Sequence, residues 1–318
     1  MLRKVLKAVG VAGLALVVAA AAVVTWQLAR DPLDALPRVA GEARLHSTQR
    51  EHADRREWRR VQLEVEGHGG VALQVSLPDP LPAQRLPVVF VLGGLKTGAD
   101  SIRHLPEAGG TVLVGYDWPI PRRVPRDITA LRMLPESFHR LLSVPGEISV
   151  ALRWIADQPW ADRERMALVG LSLGALAAPA VQRVAAADGV GINWTVLGYG
   201  GAPLDVLIAD HPRVQAGWFR PLLRAGAALL LRPLEPAHHL PHLEGAFLVL
   251  GGTGDGFIPE PAARRFATLT PEPKTVAWID GGHLGVGRDR DALLAKVIDR
   301  TVRWLRAQEV VEAPRRGA

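Results

Sequence analysis

The sequence predicts an α/β protein built on a mainly parallel, twisted sheet with helices on both faces. Strand-like and helix-like segments alternate along most of the chain, which is typical of parallel strands joined by helical crossovers. The run Leu86–Leu92 is apolar, as expected for a strand that is buried on both faces. In Arg165–Leu176 an apolar run ends in the motif G-x-S-x-G, and an Ala/Leu-rich helical pattern follows at once. These features indicate a doubly wound sheet with a sharp strand-to-helix turn after one of its strands.

The first predicted elements form a hairpin. Val61–Val65 and Val71–Val75 alternate apolar and polar residues with period two, and residues 67–70 between them are rich in glycine. The folded domain is therefore expected to span 61–308. Further strands are predicted at Leu86–Leu92, Thr111–Tyr116, Met166–Val169, Trp194–Leu197, Ala246–Leu250 and Thr275–Ile279, and helices at Glu147–Asp157, Leu173–Ala187, Pro261–Leu269 and Asp289–Gln308.

Two segments interrupt this alternation, at about 118–142 and 201–243. Both follow predicted strands, on the edge where open α/β sheets bind their ligands, so we predict that they are lid insertions or pocket walls. The second segment contains Trp218, Phe219 and the apolar run Ala227–Leu231. These residues either face the pocket or pack an extra helix onto the sheet, and the pattern leaves both alternatives open.

The N-terminus predicts attachment to a membrane. Basic residues 3, 4 and 7 precede an uncharged stretch from Ala8 to Trp26, which approaches the ~20 residues that a membrane-spanning helix needs. We expect residues 1–30 to be an uncleaved signal-anchor with the folded domain outside the cytoplasm. Small residues at Ala20 and Ala22 permit the alternative of a cleaved signal peptide and a secreted protein. The charged residues 31–60 are predicted to be a tether, and 309–318 a tail.

Charge and cysteine content limit the classes of function. The formal net charge is +6, but no stretch interleaves basic and aromatic residues as a nucleic-acid surface requires. We therefore expect no nucleic-acid partner and interpret the basicity as a solvated surface. The absence of cysteine excludes disulfides, thiol nucleophiles and thiolate metal sites.

The G-x-S-x-G motif places Ser172 at the apex of a tight turn. Gly170 and Gly174 suit such a turn because a side chain there would collide with the neighbouring strand or helix. The serine oxygen would then lie in the open above the strand end, where it could act as a nucleophile. A glycine-rich turn that arose by chance is the alternative interpretation of the same five residues.

A serine nucleophile needs a base and an acid. His283 is the best candidate base, because it follows a predicted strand in a loop of small residues that can approach the turn. Asp255 is the best candidate acid, in the loop after the strand Ala246–Leu250, although an Asp-Gly turn is an alternative interpretation. Asp205 is the second candidate, whereas Asp280 is expected to be a strand-end turn residue.

The order of these elements resembles the α/β-hydrolase superfamily over roughly 61–308. A leading hairpin, a glycine loop after the third predicted strand, the serine turn, the acid and the histidine follow each other as in that family. The resemblance implies an oxyanion hole made by the N–H groups of Leu173 and Leu95, with Gly94 as the alternative to Leu95. The glycine loop departs from the family because it lacks the histidine that is common there.

These observations together predict a serine hydrolase that cleaves a carboxylic ester, thioester or amide of a small-molecule acyl substrate through an acyl-serine. An acyltransferase is an alternative, and so is a non-catalytic, membrane-tethered protein with this fold. No cofactor or metal is expected, since the histidines at 238, 239 and 242 have no acidic partner at a suitable spacing.

Overall fold

A twisted sheet of nine strands forms the centre of the described part of the chain, in the order β1-β2-β3-β5-β4-β6-β7-β8-β9. The structure is a computed structural model of the 318-residue chain. It describes residues 18, 22, 24–26, 28–39, 41–66, 68–105, 109–120, 128–212, 214, 217–287 and 289–311. For residues 128–135 only the backbone is described. The strands are β1 Ala43–Ala53, β2 Arg56–Val65, β3 Gly69–Pro78, β4 Leu86–Leu92, β5 Val112–Tyr116, β6 Ala161–Leu171, β7 Trp194–Gly198, β8 Ala246–Gly252 and β9 Lys274–Ile279.

The pairing of neighbouring strands changes once across the sheet, from antiparallel to parallel. The pairs β1–β2, β2–β3 and β3–β5 are antiparallel, whereas all pairs from β5 through β4 and β6 to β9 are parallel. The helices of the described region are α1 Ile128–Ala156, α2 Leu173–Ala187, α3 Leu204–Ala209, α4 Arg220–Leu230, α5 Pro236–His239, α6 Glu260–Leu269 and α7 Arg290–Ala307, with short 3-10 helices at Gly98–His104, Gly217–Phe219, Arg232–Leu234 and Leu240–His242. The predicted fold class, a mainly parallel sheet between two helical layers, is confirmed.

The central strands are buried on both faces, as the apolar run in β4 predicts. Phe90 belongs to the core under α1 and α2, which contribute residues such as Ile148 and Val181. The next residue, Val91, belongs to the opposite core, under the 3-10 helix Gly98–His104 and α7. Because successive side chains of a strand point to opposite faces, β4 is fixed from both sides, and so is the loop at its C-terminal end.

The prediction of a charged tether over 31–60 is wrong. Residues Ala43–Ala53 form β1, and β2 begins at Arg56, so the folded domain starts well before Val61. Ahead of β1, Leu36 and Val39 are buried in the cores. Strand β1 lies at the edge of the sheet and most of its side chains are exposed, so it carries no apolar alternation by which its sequence could be recognised.

Two further boundaries differ from prediction. The first lid segment, 118–142, is in large part the N-terminal half of α1, which runs from Ile128 through Pro145 to Ala156. The segment is rich in proline and arginine, and proline normally interrupts a helix, so its sequence does not indicate one. The tail predicted from residue 309 is wrong for its first residues, since Val310 and Val311 are buried and the carbonyl of Val310 accepts a hydrogen bond of 3.1 Å from Thr111 Oγ1.

Most of the predicted membrane span, Ala8–Trp26, lies outside the described residues. No helix within the described ranges combines the length and apolar character that crossing a membrane requires.

Candidate active site

The turn between β6 and α2 holds Ser172 in a backbone conformation that few residues other than glycine adopt. Ser172 has φ 56° and ψ −114°, and its N–H donates to the carbonyl of Gly198 at 2.8 Å. A Cβ on Gly174 would lie 1.9 Å from the carbonyl oxygen of Leu92, and one on Gly170 would lie 2.6 Å from that of Gly174. Both glycines are therefore required by the close approach of β6, α2 and β4, as the motif predicts.

The three predicted site residues lie together above this turn. Ser172 Oγ is 2.7 Å from His283 Nε2, and His283 Nδ1 is 2.7 Å from Asp255 Oδ2. His283 follows β9 and Asp255 follows β8, so the carboxyl ends of neighbouring parallel strands supply both groups. The side chains of His283 and Asp255 are only 9% and 3% exposed.

The contacts of the Asp255 carboxylate define the proton on the imidazole. Its second oxygen, Oδ1, accepts hydrogen bonds from the N–H groups of Phe257 at 2.8 Å and Ile258 at 3.0 Å. A carboxylate can only accept, so the neutral ring carries its proton on Nδ1. His283 Nε2 is then left to accept the hydroxyl proton of Ser172, which is the arrangement that a general base requires.

Two aromatic rings flank the imidazole. The ring of Phe257 lies 5.1 Å from that of His283, and the edge of Tyr199 meets it at 5.8 Å and 82°. Burial, and next the negative charge of Asp255, raise the pKa of Tyr199 to about 12, so its hydroxyl stays neutral. Together these rings restrict the imidazole to a plane that reaches both Ser172 and Asp255.

The loop after β4 adjoins the serine. The carbonyl of Gly94 accepts from the N–H groups of Thr97 at 3.1 Å and Gly98 at 3.0 Å, which closes a tight turn. That turn uses neither the N–H of Leu95 nor that of Lys96, its two central residues. Leu95, Gly94 and Leu173, the residues predicted to supply the oxyanion hole, line the same cavity as Ser172.

The alternative acids have other partners. Asp205 accepts from Arg224 Nε at 3.0 Å on α4, and Asp280 accepts from Thr253 Oγ1 at 3.1 Å at the end of β9. Of the histidines at 238, 239 and 242, His239 is fully buried and its Nε2 donates to the carbonyl of Pro233 at 2.8 Å. None of the hydrogen bonds described for Asp205, Asp280 and His239 involves Ser172 or His283.

Two cavities of about 370 Å³ each meet at Ser172 and His283. The first includes polar groups of the loop after β4 and of the 3-10 helix, among them Lys96, Thr97 and His104. The second is lined almost entirely by apolar side chains. Those from the predicted lid segment 201–243 include Leu204, Leu207, Ile208, Leu231 and Leu234, and α1 and α2 add Leu141 and Leu176.

The second lid segment differs from prediction in one respect. Leu231 lines the apolar cavity, but Trp218 is 92% exposed and Phe219 is also exposed. The prediction that Trp218 and Phe219 face the pocket or pack against the sheet is therefore wrong, because both lie exposed on the short 3-10 helix Gly217–Phe219 that precedes α4.

Sequence reasoning missed two residues that support the site. Trp118 Nε1 donates to the carbonyl of Gly93 at 3.0 Å and so fixes the loop that carries Leu95. Tyr199 lies against His283. Neither residue belongs to a motif. The only signal for their role in the site is their position after β5 and β7, at the carboxyl edge of the sheet.

The sheet order, the serine turn and the loop positions define the α/β-hydrolase fold, and solved structures agree. The chain is similar to an acetyl xylan esterase from Paenibacillus sp. R4, with a TM-score of 0.58 and 17% identity over 85% of this chain and 98% of that one. It is similar to acetyl xylan esterase 1 from Thermoanaerobacterium sp., with a TM-score of 0.57 and 12% identity over 84% and 90%. An S-formylglutathione hydrolase from Agrobacterium tumefaciens has a TM-score of 0.53 and 17% identity over 80% and 96%. The sequence matches no protein-family model, and a search of curated proteins found no match.

Proposed function

We propose that the protein is a serine hydrolase that cleaves carboxylic esters through an acyl-serine intermediate. The observation that carries this proposal is the continuous hydrogen-bonded chain from Ser172 Oγ through the His283 ring to Asp255, with 2.7 Å at each step. The two similar acetyl xylan esterases support the same class of reaction.

The reaction follows from this chain of contacts. His283 Nε2 takes the hydroxyl proton while Ser172 Oγ attacks the ester carbonyl carbon, and the carbonyl oxygen becomes an oxyanion. The N–H groups of Leu173 and Leu95 would stabilise that oxyanion, and one such donor contributes roughly 3 kcal/mol. The C–O bond then breaks, and the leaving alcohol takes the proton from the imidazolium. Water, deprotonated by the same ring, then attacks the acyl carbon. The bond from that carbon to Ser172 Oγ breaks, Oγ takes the proton back from the ring, and the carboxylic acid is released.

We assign the acyl chain to the apolar cavity and the alcohol part to the cavity that contains Lys96 and Thr97. Each methylene that leaves water contributes ~0.8 kcal/mol, so extending the acyl group from acetyl to butyryl should raise kcat/KM by roughly tenfold. A series of p-nitrophenyl esters measures this dependence, and a rate indifferent to acyl length would contradict the assignment.

Replacement of Ser172 by alanine tests the proposed function directly. We expect Ser172→Ala to lose covalent labelling by a fluorophosphonate and to lower p-nitrophenyl butyrate hydrolysis by about 10⁴-fold or more, because the three residues act as a unit. Circular dichroism should remain that of the native protein. Undiminished labelling of a folded Ser172→Ala protein would overturn the proposal.

We also propose that the uncharged stretch from Ala8 to Trp26 attaches the protein to a membrane, with the catalytic domain outside the cytoplasm. Attachment through an apolar segment resists salt and carbonate, whereas electrostatic attachment is weakened by salt. Release of the full-length protein from membranes by carbonate, or a mature chain that begins after Ala22, would contradict this placement.

A further inference from the structure

The described part of the chain concentrates its exposed large apolar side chains on two stretches. One contains Val18, Trp26 and Leu28, and the other contains Trp218, Phe219, Leu222 and Leu230. Trp218 and Leu222 are the most exposed, at 92% and 73%. Single exposed apolar residues are ordinary on protein surfaces, but a cluster on one helix indicates a surface that has a partner.

Hydrogen bonds and an ion pair bring the two stretches together. Arg232, two residues beyond the end of α4, donates from Nη1 to the carbonyl of Arg30 and from Nη2 to that of Leu28, each at 2.9 Å. Asp31 is paired with Arg183 of α2 at 3.3 Å. The chain that leads from the uncharged N-terminal sequence is therefore held against the domain beside α4.

The outer face of α4 combines apolar and basic groups. Arg220 and Arg224 flank Leu222, and both guanidinium groups are about half exposed although they pair with Asp210 and Asp205. The Arg30 guanidinium lies 4.5 Å from the centre of the Trp26 ring on the neighbouring stretch. Tryptophan, leucine and arginine side by side are typical of helices that lie in a membrane interface, where arginine reaches the headgroups and the apolar side chains enter the acyl region.

We propose that the apolar face of α4 and the turn before it (Trp218, Phe219, Leu222 and Leu230) rests in the interfacial layer of a lipid bilayer, beside the point where the N-terminal segment leaves the domain. This inference rests on the membrane attachment proposed above. A bilayer is the partner that the surroundings indicate, because the adjoining sequence from Ala8 to Trp26 is itself uncharged and apolar. The net charge of +6 also favours a surface of anionic lipids.

The placement has a consequence for the substrate. Leu231 and Leu234, which directly follow α4, line the apolar cavity next to Ser172. The wall of that cavity thus belongs to the same segment that contacts lipid. Esters dissolved in the bilayer, rather than free soluble ones, are the substrates that this arrangement serves.

The sequence contains no cysteine, so a single introduced cysteine can be labelled uniquely. Leu222→Cys carries a nitroxide on α4, and Leu45→Cys, on the edge strand β1 and 51% exposed, is the matched control. Both full-length variants are reconstituted into vesicles of phosphatidylcholine and phosphatidylglycerol, and collision of the label with O₂ and with a water-soluble nickel chelate is measured. We expect the ratio of O₂ to nickel collisions to be at least about threefold higher at position 222 than at position 45, because O₂ concentrates in lipid and nickel does not.

Each other outcome overturns the inference in a distinguishable way. Equal ratios at the two positions in vesicle-bound protein would mean that the N-terminal segment attaches the protein to the membrane but that α4 does not contact the bilayer. Protection of position 222 from both reagents would mean that protein covers it, and spin–spin broadening between labels would identify a second copy. Protein that does not float with vesicles would overturn the membrane attachment as well, whereas the fluorophosphonate test of Ser172 is independent of lipid.

Discussion

His283 is held on several sides by groups that come from different strand ends. Asp255 fixes its Nδ1, Ser172 Oγ meets its Nε2, and the rings of Phe257 and Tyr199 lie against it. A base held in this way loses little freedom when it accepts a proton, and the adjacent carboxylate stabilises the imidazolium that forms. Replacement of Asp255 therefore tests whether the carboxylate has this role.

We expect Asp255→Asn to lower kcat by ~10³–10⁴-fold, because an amide in this place favours the wrong imidazole tautomer. The matched control is Asp205→Asn. Asp205 is paired with Arg224, and we expect its variant to retain activity within about threefold, since an ion pair whose arginine is half exposed contributes little. Measurement of p-nitrophenyl butyrate hydrolysis by both variants shows which aspartate is the acid of the site. If Asp205→Asn lost more activity than Asp255→Asn, Asp205 would be the acid.

The sequence was sufficient to locate the three residues proposed to react, but not the residues that pack around them. Ser172, Asp255 and His283 were recognisable because each chemistry requires a particular residue type after a particular strand. Trp118 and Tyr199 act through one hydrogen bond and one ring contact. Many other residues could supply such contacts, so no pattern in the sequence marks them.

The element that positions the nucleophile is the turn from β6 to α2. Its geometry depends on how closely α2 approaches β4, since a Cβ on Gly174 would lie 1.9 Å from the Leu92 carbonyl oxygen. That oxygen is backbone at the end of a strand buried on both faces, and it cannot move away without displacing the loop that carries Leu95.

We expect Gly174→Ala to reduce the free energy of unfolding by more than ~4 kcal/mol or to prevent folding, because the clash is with backbone. Gly191→Ala is the matched control, since a Cβ there meets nothing within 4 Å, and we expect a change within ~0.5 kcal/mol. Urea denaturation followed by circular dichroism measures both. A stable and active Gly174→Ala protein would show that α2 does not approach the Leu92 carbonyl as closely as this distance indicates.

Elements with a regular apolar pattern were predictable, and those without one were not. Strand β4 and helix α2 were located from sequence because burial dictates their composition. Strand β1 is mostly exposed, and α1 continues through Pro145, so their sequences contain charges and prolines that ordinarily indicate a coil or a break. In both cases tertiary contacts outweigh the local preference of the chain.

On the scale of the whole molecule, the parallel sheet gathers groups that are distant in sequence. Ser172 and His283 are 111 residues apart, yet both follow strands whose carboxyl ends lie at one edge. The same packing also buries groups with no part in the chemistry. His239 of α5 is enclosed between α2 and the short helices that follow α4, with Nε2 donating to the carbonyl of Pro233.

The pKa of His239 is lowered from 6.5 to about 4, mainly because the ring is buried. The hydrogen bond to Pro233 and the charge of Asp31 partly oppose this lowering of the pKa, and Arg183 and His238 add to it. Because the folded protein holds the His239 ring in its neutral form, protonation of this ring favours the unfolded state. The stability that the neutral ring gives the folded protein is fully present above the unfolded-state pKa of 6.5, and it is lost as the pH falls toward the folded-state pKa of about 4. Between pH 7.5 and pH 5 this loss amounts to ~2 kcal/mol.

We expect His239→Gln to be less stable than the native protein at pH 7.5, because packing around the ring is lost, but to lose ~2 kcal/mol less on acidification to pH 5. Glu235, whose pKa burial raises, has the opposite dependence on pH, but it is present in both proteins and cancels in the difference. His242→Gln, at an exposed histidine three residues away, is the control and should follow the native protein at both pH values. Urea unfolding at the two pH values measures the differences. An equal loss on acidification in His239→Gln and in the native protein would mean that the acid sensitivity of the fold originates elsewhere than at His239.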